Sequence, residues 1–246
     1  MSFTLKDLQQ FLPHLARGTL LTIFLTFTSM AIALILGLGI ALLRMVRLRP
    51  VRWIAAAYVD FMRGTPLLLQ LFYIYFVLPF VGIRLPALTA GIAGLALNYA
   101  AYLSEVYRAG IAAVDPGQRE AAYALGMSER LTLRRIILPQ ALRIVVPPIG
   151  NYFIAMFKDT ALVAIISVQD LMFTAENLAS STYKYFGIFT TTFVLYFAIS
   201  YPASLAVQYL ERRLRHRRAQ RSPASAGMIT PLQPSAAIHT VKRAGE

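Results

Sequence analysis

The stretch from Gly18 to Leu43 runs 26 residues without a charge, and no other feature constrains the fold of this chain as much. A bilayer core about 30 Å thick is crossed by roughly 20 helical residues at about 1.5 Å each. Leu85 to Ser104 and Gly187 to Leu210 meet that length with 20 and 24 uncharged residues, and Gly64 to Ile83 makes a fourth stretch. Asp60 and Arg63 precede the fourth and Pro66 stands near its start, so the sequence leaves open whether that helix begins near Trp53 or breaks at the proline. Hydrophobic residues are 57% of the chain and charged residues 14%, which points to a membrane protein and away from an ordinary soluble domain.

Ile144 to Gln169 is balanced. Its twelve Ile, Val, Leu and Phe residues favour insertion by roughly 4 to 7 kcal/mol, and the central charges Lys158 and Asp159 oppose it by roughly 5 to 7 kcal/mol. The distribution of positive charge decides. Four arginines lie in Arg44 to Arg52, six in Glu105 to Arg143, and eight Lys plus Arg follow Glu211, together 18 of 24. Such an excess belongs on the cytoplasmic face, and a single crossing by Ile144 to Gln169 puts all three groups there. The expected fold is therefore an all-α membrane protein with five transmembrane helices, at about 18–43, 64–83, 85–104, 144–169 and 187–210. Its N-terminus, residues 1–17, would lie outside and its C-terminus inside. Residues 18–210 form the transmembrane domain, 105–143 its long cytoplasmic loop, and 211–246 a basic cytoplasmic tail, read as disordered from about Ser222 where Ser, Pro and Ala dominate. The first span lacks a small-residue cleavage site and is followed by Arg44, Arg47 and Arg49, so it reads as retained rather than as a signal peptide.

The long loop is too long for a mere connection and carries its own folding signals. Asp115, Pro116 and Gln118 supply an N-cap, a proline at the first helical position and a capping-box partner. That helix should end at Gly126, and Ser128 should cap a second short helix closed by Pro139 near Leu138. Ala121, Ala122 and Leu125 make one side small and apolar, and Leu131, Leu133, Ile136 and Ile137 follow. Such a hairpin either packs on the inner ends of the spans or docks into a groove of a cytoplasmic partner.

Glu120, Ala121, Ala122, three residues, Gly126, nine residues, Ile136, one residue, Leu138 and Pro139 reproduce the E-A-A-x3-G-x9-I-x-L-P pattern. In this the chain resembles the permeases of importer-type ABC transporters. Arg63-Gly64-Thr65-Pro66-Leu67-Leu68-Leu69-Gln70 and Lys158-Asp159-Thr160, preceded by Pro147, Pro148 and Asn151, are similar to the polar amino acid uptake branch of that family. The resemblance covers about Gly18 to Leu210. It implies a bacterial inner-membrane subunit that pairs with a second permease, the same or different, with two ATP-hydrolysing subunits and with an external solute-binding protein. No cofactor would be bound by this chain, with ATP and Mg expected on the partners. Glu120, Ala121, Ala122 and Gly126 would sit in a cleft of the ATPase, with Ile136, Leu138 and Pro139 as the second arm of the coupling element. Arg130, Arg134 and Arg135 would either face acidic partner surface or be solvated.

Ionisable residues inside a span face the bundle interior or a water-filled cavity, which makes Lys158 and Asp159 pathway candidates, with Thr160, Asn151, Asn98 and Gln70 beside them. A zwitterionic amino acid would meet opposite charges there. Structural contacts with neighbouring spans or the second permease weigh equally for this pair. Arg63 is expected to snorkel to the inner interface with Trp53 and Tyr58, and Phe72, Tyr73, Tyr75 and Phe76 to pack or face lipid.

Other classes find little support. The four lysines follow Leu5, Phe157, Tyr183 and Val241, so no Gly-Lys P-loop exists and energy must come from elsewhere. With no cysteine, and with His14, His216 and His239 scattered, neither a thiolate site nor a histidine metal cluster is available. No catalytic constellation stands out, so the chain reads as a transporter subunit and not an enzyme. The alternative is a proton-gradient-driven secondary amino acid transporter with Asp159 or Glu176 as proton carrier, against which the span count and the loop motif weigh. The net charge is +13, and the basic run Arg212 to Arg221 in the tail is better explained as a topology anchor than as a nucleic-acid site.

Overall fold

The first apolar run lies inside a helix much longer than a bilayer needs, α1 (Leu5–Met45). The structure, a computed structural model, describes residues 5–219, so the stretch from Ser222 expected to be disordered lies outside the described residues. The N-terminal segment expected to precede the first span is thus helical from Leu5. Its outer turns are held by packing, because Phe11 and Leu15 are buried among Leu171, Ala175, Ala179 and Ile188. Lys184 Nζ donates to Asp7 Oδ1 at 2.6 Å and ties the start of α1 to the entry of the last helix.

The second helix settles both alternatives at Pro66. Helix α2 (Arg49–Gly64) begins before Trp53, and the chain then breaks at Thr65 (φ −119°, ψ 144°) and Pro66 before α3 (Leu67–Phe72). A residue before proline is driven to extended geometry, and proline brings no N–H to continue the ladder. α3 runs on through a π turn (Tyr73–Val77) and a 3-10 turn (Leu78–Val81) that ends at Gly82 with φ 88°. The two halves are bent by 108°.

Helix α4 (Ala87–Ala112) carries the third apolar run well past Ser104. The loop region then holds α5 (Pro116–Ala124) and α6 (Glu129–Thr132). Here the expected stop at Pro139 fails. A π turn (Leu133–Ile137), in which the Leu138 N–H reaches back to the Leu133 carbonyl, leads directly into α7 (Leu138–Asp159). The wider turn lets a helix pass a residue that has no N–H to give. A 3-10 segment (Thr160–Ile166) prolongs α7 beyond the charged pair. Helix α8 (Leu171–Thr182) had no counterpart in the sequence reading, and α9 (Tyr185–Ala219) continues past Leu210, so the first part of the expected tail is helical.

Among the described residues four stretches are long and apolar enough to cross a membrane, namely Asp7–Met45, Ala87–Ala112, Glu129–Ile166 and Tyr185–Arg213, with the bent pair Arg49–Gly64 and Leu67–Val81 as a fifth when counted as one. Helix α1 packs closely on α4, since a Cβ on Gly37 would come within 3.0 Å of the Ala100 carbonyl oxygen. Met30, Ala33, Tyr99, Leu103 and Met156 bury the seam of α1, α4 and α7. Leu25, Leu71, Leu95, Val163 and Ile166 extend it toward α3. Large apolar side chains such as Leu20, Ile35, Phe193 and Phe197 are left outside. In water that arrangement would be costly, but hydrocarbon is as apolar as the side chains.

Candidate functional sites

The break at Pro66 leaves the last carbonyls of α2 without helical partners, and buried carbonyls need donors. Gln70 supplies them. Its Nε2 lies 2.9 Å from the Met62 oxygen, 3.1 Å from the Thr65 oxygen and 2.8 Å from Thr65 Oγ1, the two amide protons being shared among the three. Asn98 Nδ2 donates to Gln70 Oε1 at 3.0 Å and approaches the Met62 oxygen at 3.3 Å. Both amides are buried. Tyr58 donates to the Leu97 carbonyl at 2.7 Å and fixes α2 on α4.

The mended bend forms one wall of a cavity of about 440 Å³, closed by α4 and α7. Arg63, Thr65, Asn98, Tyr99, Tyr102, Tyr152 and Asp159 line it. Asp159 accepts a 2.6 Å hydrogen bond from the Tyr99 hydroxyl, which keeps its carboxylate oriented. Tyr99 stands edge-on to Tyr152 with ring centroids 6.1 Å apart, and Tyr102 lies 5.6 Å from Tyr152. The Arg63 guanidinium lies 5.5 Å from the centre of the Tyr102 ring. A carboxylate, a guanidinium, an amide and three phenol rings thus converge on one space.

The six pathway candidates divide. Asp159 and Asn98 line the cavity, whereas Gln70 faces the bend itself. Lys158 and Asn151 are exposed on α7, and Thr160 is buried with its hydroxyl donating to the Phe157 carbonyl at 2.7 Å. Neighbours on a helix point about 100° apart, which separates Lys158 from Asp159. Arg63, expected only as an interface anchor, has a further role in the structure. It lines the cavity and also reaches Glu105, with Nη1 3.9 Å from Oε1. Its position beside Thr65 and Pro66, at a break within an apolar stretch, was the available signal, because discontinuous helices expose ligand-binding groups. Tyr99, Tyr102 and Glu105 were legible as polar groups three apart on one helical face.

The hairpin of α5 and α6 begins and turns where Asp115 and Gly126 signal, but Ser128, expected to cap α6, makes no side-chain cap there. The Asp115 carboxylate accepts from the Gly117 N–H at 2.8 Å, while Gln118 departs from the capping box and accepts from Gln140 at 3.3 Å. At the other end Gly126 has φ 77°, its N–H donates to the Tyr123 carbonyl, and the Met127 N–H donates to the Ala122 carbonyl. That pair of bonds is a Schellman closure around a left-handed residue. The motif splits across two faces. Ala122 is buried and Ile136 packs against Val114, Ile137 and Ala141, so these two belong to the protein interior. Glu120, Ala121, Gly126, Leu138 and Pro139 are exposed. Leu125, beside the turn, is 82% exposed, an apolar side chain offered to whatever lies next to it. A cleft of about 390 Å³ beside α5 joins Glu120 and Tyr123 to Arg108 on α4.

Residues 33–216 match the family described as "Binding-protein-dependent transport system inner membrane component". The chain is 39% identical over 204 residues to the probable amino-acid ABC transporter permease protein YckA of Bacillus subtilis, covering 83% of this chain and 90% of that one. It is 41% identical over 207 residues to the L-cystine transport system permease protein TcyB of the same organism, covering 84% and 88%. A crystal structure of an amino acid ABC transporter with histidines superposes with a TM-score of 0.83 at 40% identity, over 87% of this chain and all of that one.

Proposed function

The chain belongs to the family of binding-protein-dependent transport system inner membrane components, and from that membership we propose how its geometry moves a polar amino acid. It is a multi-pass permease subunit of an ATP-driven importer in the cytoplasmic membrane, not an enzyme. ATP-binding subunits and a binding protein are its partners. The gradient-driven alternative is not favoured by this membership.

In our reading the bent pair α2 and α3 is the second of five spans, the N-terminus is outside, and the basic loop and C-terminal helix are inside. Two copies of this chain, or this chain and a second permease, stand on two ATPases that hold ATP and Mg. The α5–α6 hairpin is the coupling element, with Ala121, Leu125 and Leu138 against the ATPase and the Gly126 turn setting the angle between its arms. ATP-driven closure of the ATPases tilts α7, which continues directly from the hairpin, and α4, joined to it by a short turn, and so exposes the cavity alternately to each side.

The cavity takes the solute. Arg63 meets the α-carboxylate, Asp159 meets the α-ammonium, and Asn98 with the tyrosines meets the side chain. The observation that carries this reading is the convergence of opposite charges at a broken span, inside a bundle where an unused charge would be costly. Amino-acid and cystine transport in the names of the relatives supports the solute class. The test is uptake by the full complex in proteoliposomes, with labelled glutamine, arginine, histidine and cystine. At least one should accumulate only with ATP, and Asp159→Asn should change its KM or selectivity without loss of assembly. An Asp159→Asn variant that merely assembles poorly, with normal KM in the assembled fraction, would return Asp159 to a structural role.

A further inference from the structure

One carboxylate in the fold is surrounded by three guanidinium groups. Glu105, on α4 one turn beyond Tyr102, accepts from Arg44 of α1 through Oε1 and from Arg108 through Oε2, at 3.0 Å from Nε and 2.8 Å from Nη2. Those bonds occupy both oxygens. Arg63 is the third guanidinium, 3.9 Å from Oε1, beyond hydrogen-bond length, and its side chain is 45% exposed. It is therefore the most loosely held of the three and the one that also lines the cavity. Arg108 in turn lines the cleft beside α5, together with Glu120. Charged groups thus extend from the cavity wall through Glu105 to Arg108 at the cleft beside the hairpin.

We propose that Glu105 is a positioning residue that draws Arg63 to the α4 side of the cavity wall, so that an incoming α-carboxylate must compete with Glu105 for the same guanidinium. The inference rests on the cavity reading above. Arg63 has two stations, one on Glu105 and one on the solute, and its rotation about the end of α2 switches between them. Arrival of a carboxylate releases Arg63 from Glu105, which leaves Glu105 to Arg44 and Arg108 and loosens the tie between α2 and α4. A bound solute thereby changes the setting of Arg108, which lines the cleft beside the hairpin. The same competition lowers the affinity of the empty cavity for amino acids, since a site whose binding-competent arrangement is only partly populated binds more weakly by that fraction.

The experiment compares acids with their α-amides, which keep the ammonium and side chain but lack the carboxylate. Binding of L-glutamine, L-arginine and L-histidine, and of glutaminamide, argininamide and histidinamide, is measured on the full detergent-solubilised complex. Wild type, Glu105→Gln, Glu105→Asp and Asp159→Asn are compared, with co-purified ATPase as the control for assembly. Glu105→Gln frees Arg63, so the acid should bind about two- to five-fold more tightly while the amide is unchanged. Glu105→Asp, with its carboxylate drawn back from Arg63, should move the acid-to-amide ratio in the same direction by less. A ratio unchanged in both variants, with Asp159→Asn still weakening binding, overturns the role of Glu105 and leaves the cavity reading standing. If Glu105→Gln does not assemble, an unchanged ratio in Glu105→Asp alone overturns it. Absence of binding by all three acids, or binding indifferent to Asp159→Asn, overturns the cavity reading and this inference with it.

Discussion

Replacing Gly126 with valine tests the coupling hairpin with little risk of confusing strain with collision. The residue sits at φ 77°, and a Cβ built there would meet nothing within 4 Å. The cost is therefore confined to the backbone, about 1–2 kcal/mol for an L residue in the left-handed region. Valine, branched at Cβ, belongs at the upper end of that range or above it. The turn can escape only by giving up its closing bonds from Met127 to Ala122 and from Gly126 to Tyr123. An energy of that size shifts a two-state population by a factor of roughly 5 to 30, so the fraction of hairpins that carry the right angle should fall accordingly. Gly126→Asn is the control, because asparagine enters the left-handed region with less penalty. Both variants are reconstituted as the full complex, and ATP hydrolysis and solute uptake are measured on the same vesicles. The valine variant should insert normally, keep much of its ATP hydrolysis and lose most of its uptake, with asparagine close to wild type. Wild-type uptake in the valine variant, or equal damage from asparagine, would refute the reasoning.

Three further substitutions probe the parts that position the sites. Gln70→Leu removes the donor that satisfies the α2 carbonyls and should lower stability by about 1–3 kcal/mol, read as a drop in the thermal midpoint of the complex; an unchanged midpoint would show that the bend needs no mending. Gly37→Ala drives a methyl against the Ala100 carbonyl and Leu103 Cβ, neither of which can swing away, and should loosen α1 from α4 by about 1–3 kcal/mol. Protease protection of α1 in vesicles reads this out, and full protection would contradict the close packing. Asp170 caps α8 by accepting from the Phe173 N–H, and burial pushes its carboxyl up to about 6. A folded-state value above the unfolded one means the protonated form is favoured, so stability present in acid is lost as pH rises through about 6. Asp170→Asn, always neutral and still a cap, should lack that loss between about pH 4 and 6, while Asp170→Ala should lie about 1 kcal/mol below Asp170→Asn at every pH. A wild type that gains stability over Asp170→Asn on the same rise would reverse the assignment.

Local chemistry that acts over a few residues was the part most legible in the sequence. Asp115, Pro116 and Gly126 each act within one turn, and the hairpin begins and turns where they predict. Pro139 misled because a stop signal assumes an ordinary α-turn before it, and the π turn supplied another way past. Helix α8 escaped notice because it is only twelve residues long and rests on Phe11 and Leu15 of α1, far away in the chain. The same distance hid Arg63. A guanidinium near the end of an apolar stretch reads as an interface anchor until Tyr102 and Glu105, some forty residues on, are found beside it. Gln70 and Asn98 were visible as amides in apolar surroundings, but their joint repair of the Pro66 bend depends on the crossing of α3 and α4. Lys158 and Asp159 looked like a pair in sequence and are separated by the helix that carries them.

The central claim is that this chain moves a solute by the work of a separate ATPase. The most direct test is to purify the tagged protein from its native host in mild detergent, identify what accompanies it, and reconstitute that complex for uptake with ATP or with an imposed proton gradient. The account predicts a bound ATP-binding subunit and uptake of an amino acid that requires ATP inside the coupled compartment and survives a protonophore. A homogeneous protein without such a subunit, whose uptake runs on the proton gradient and stops with the protonophore, would contradict it.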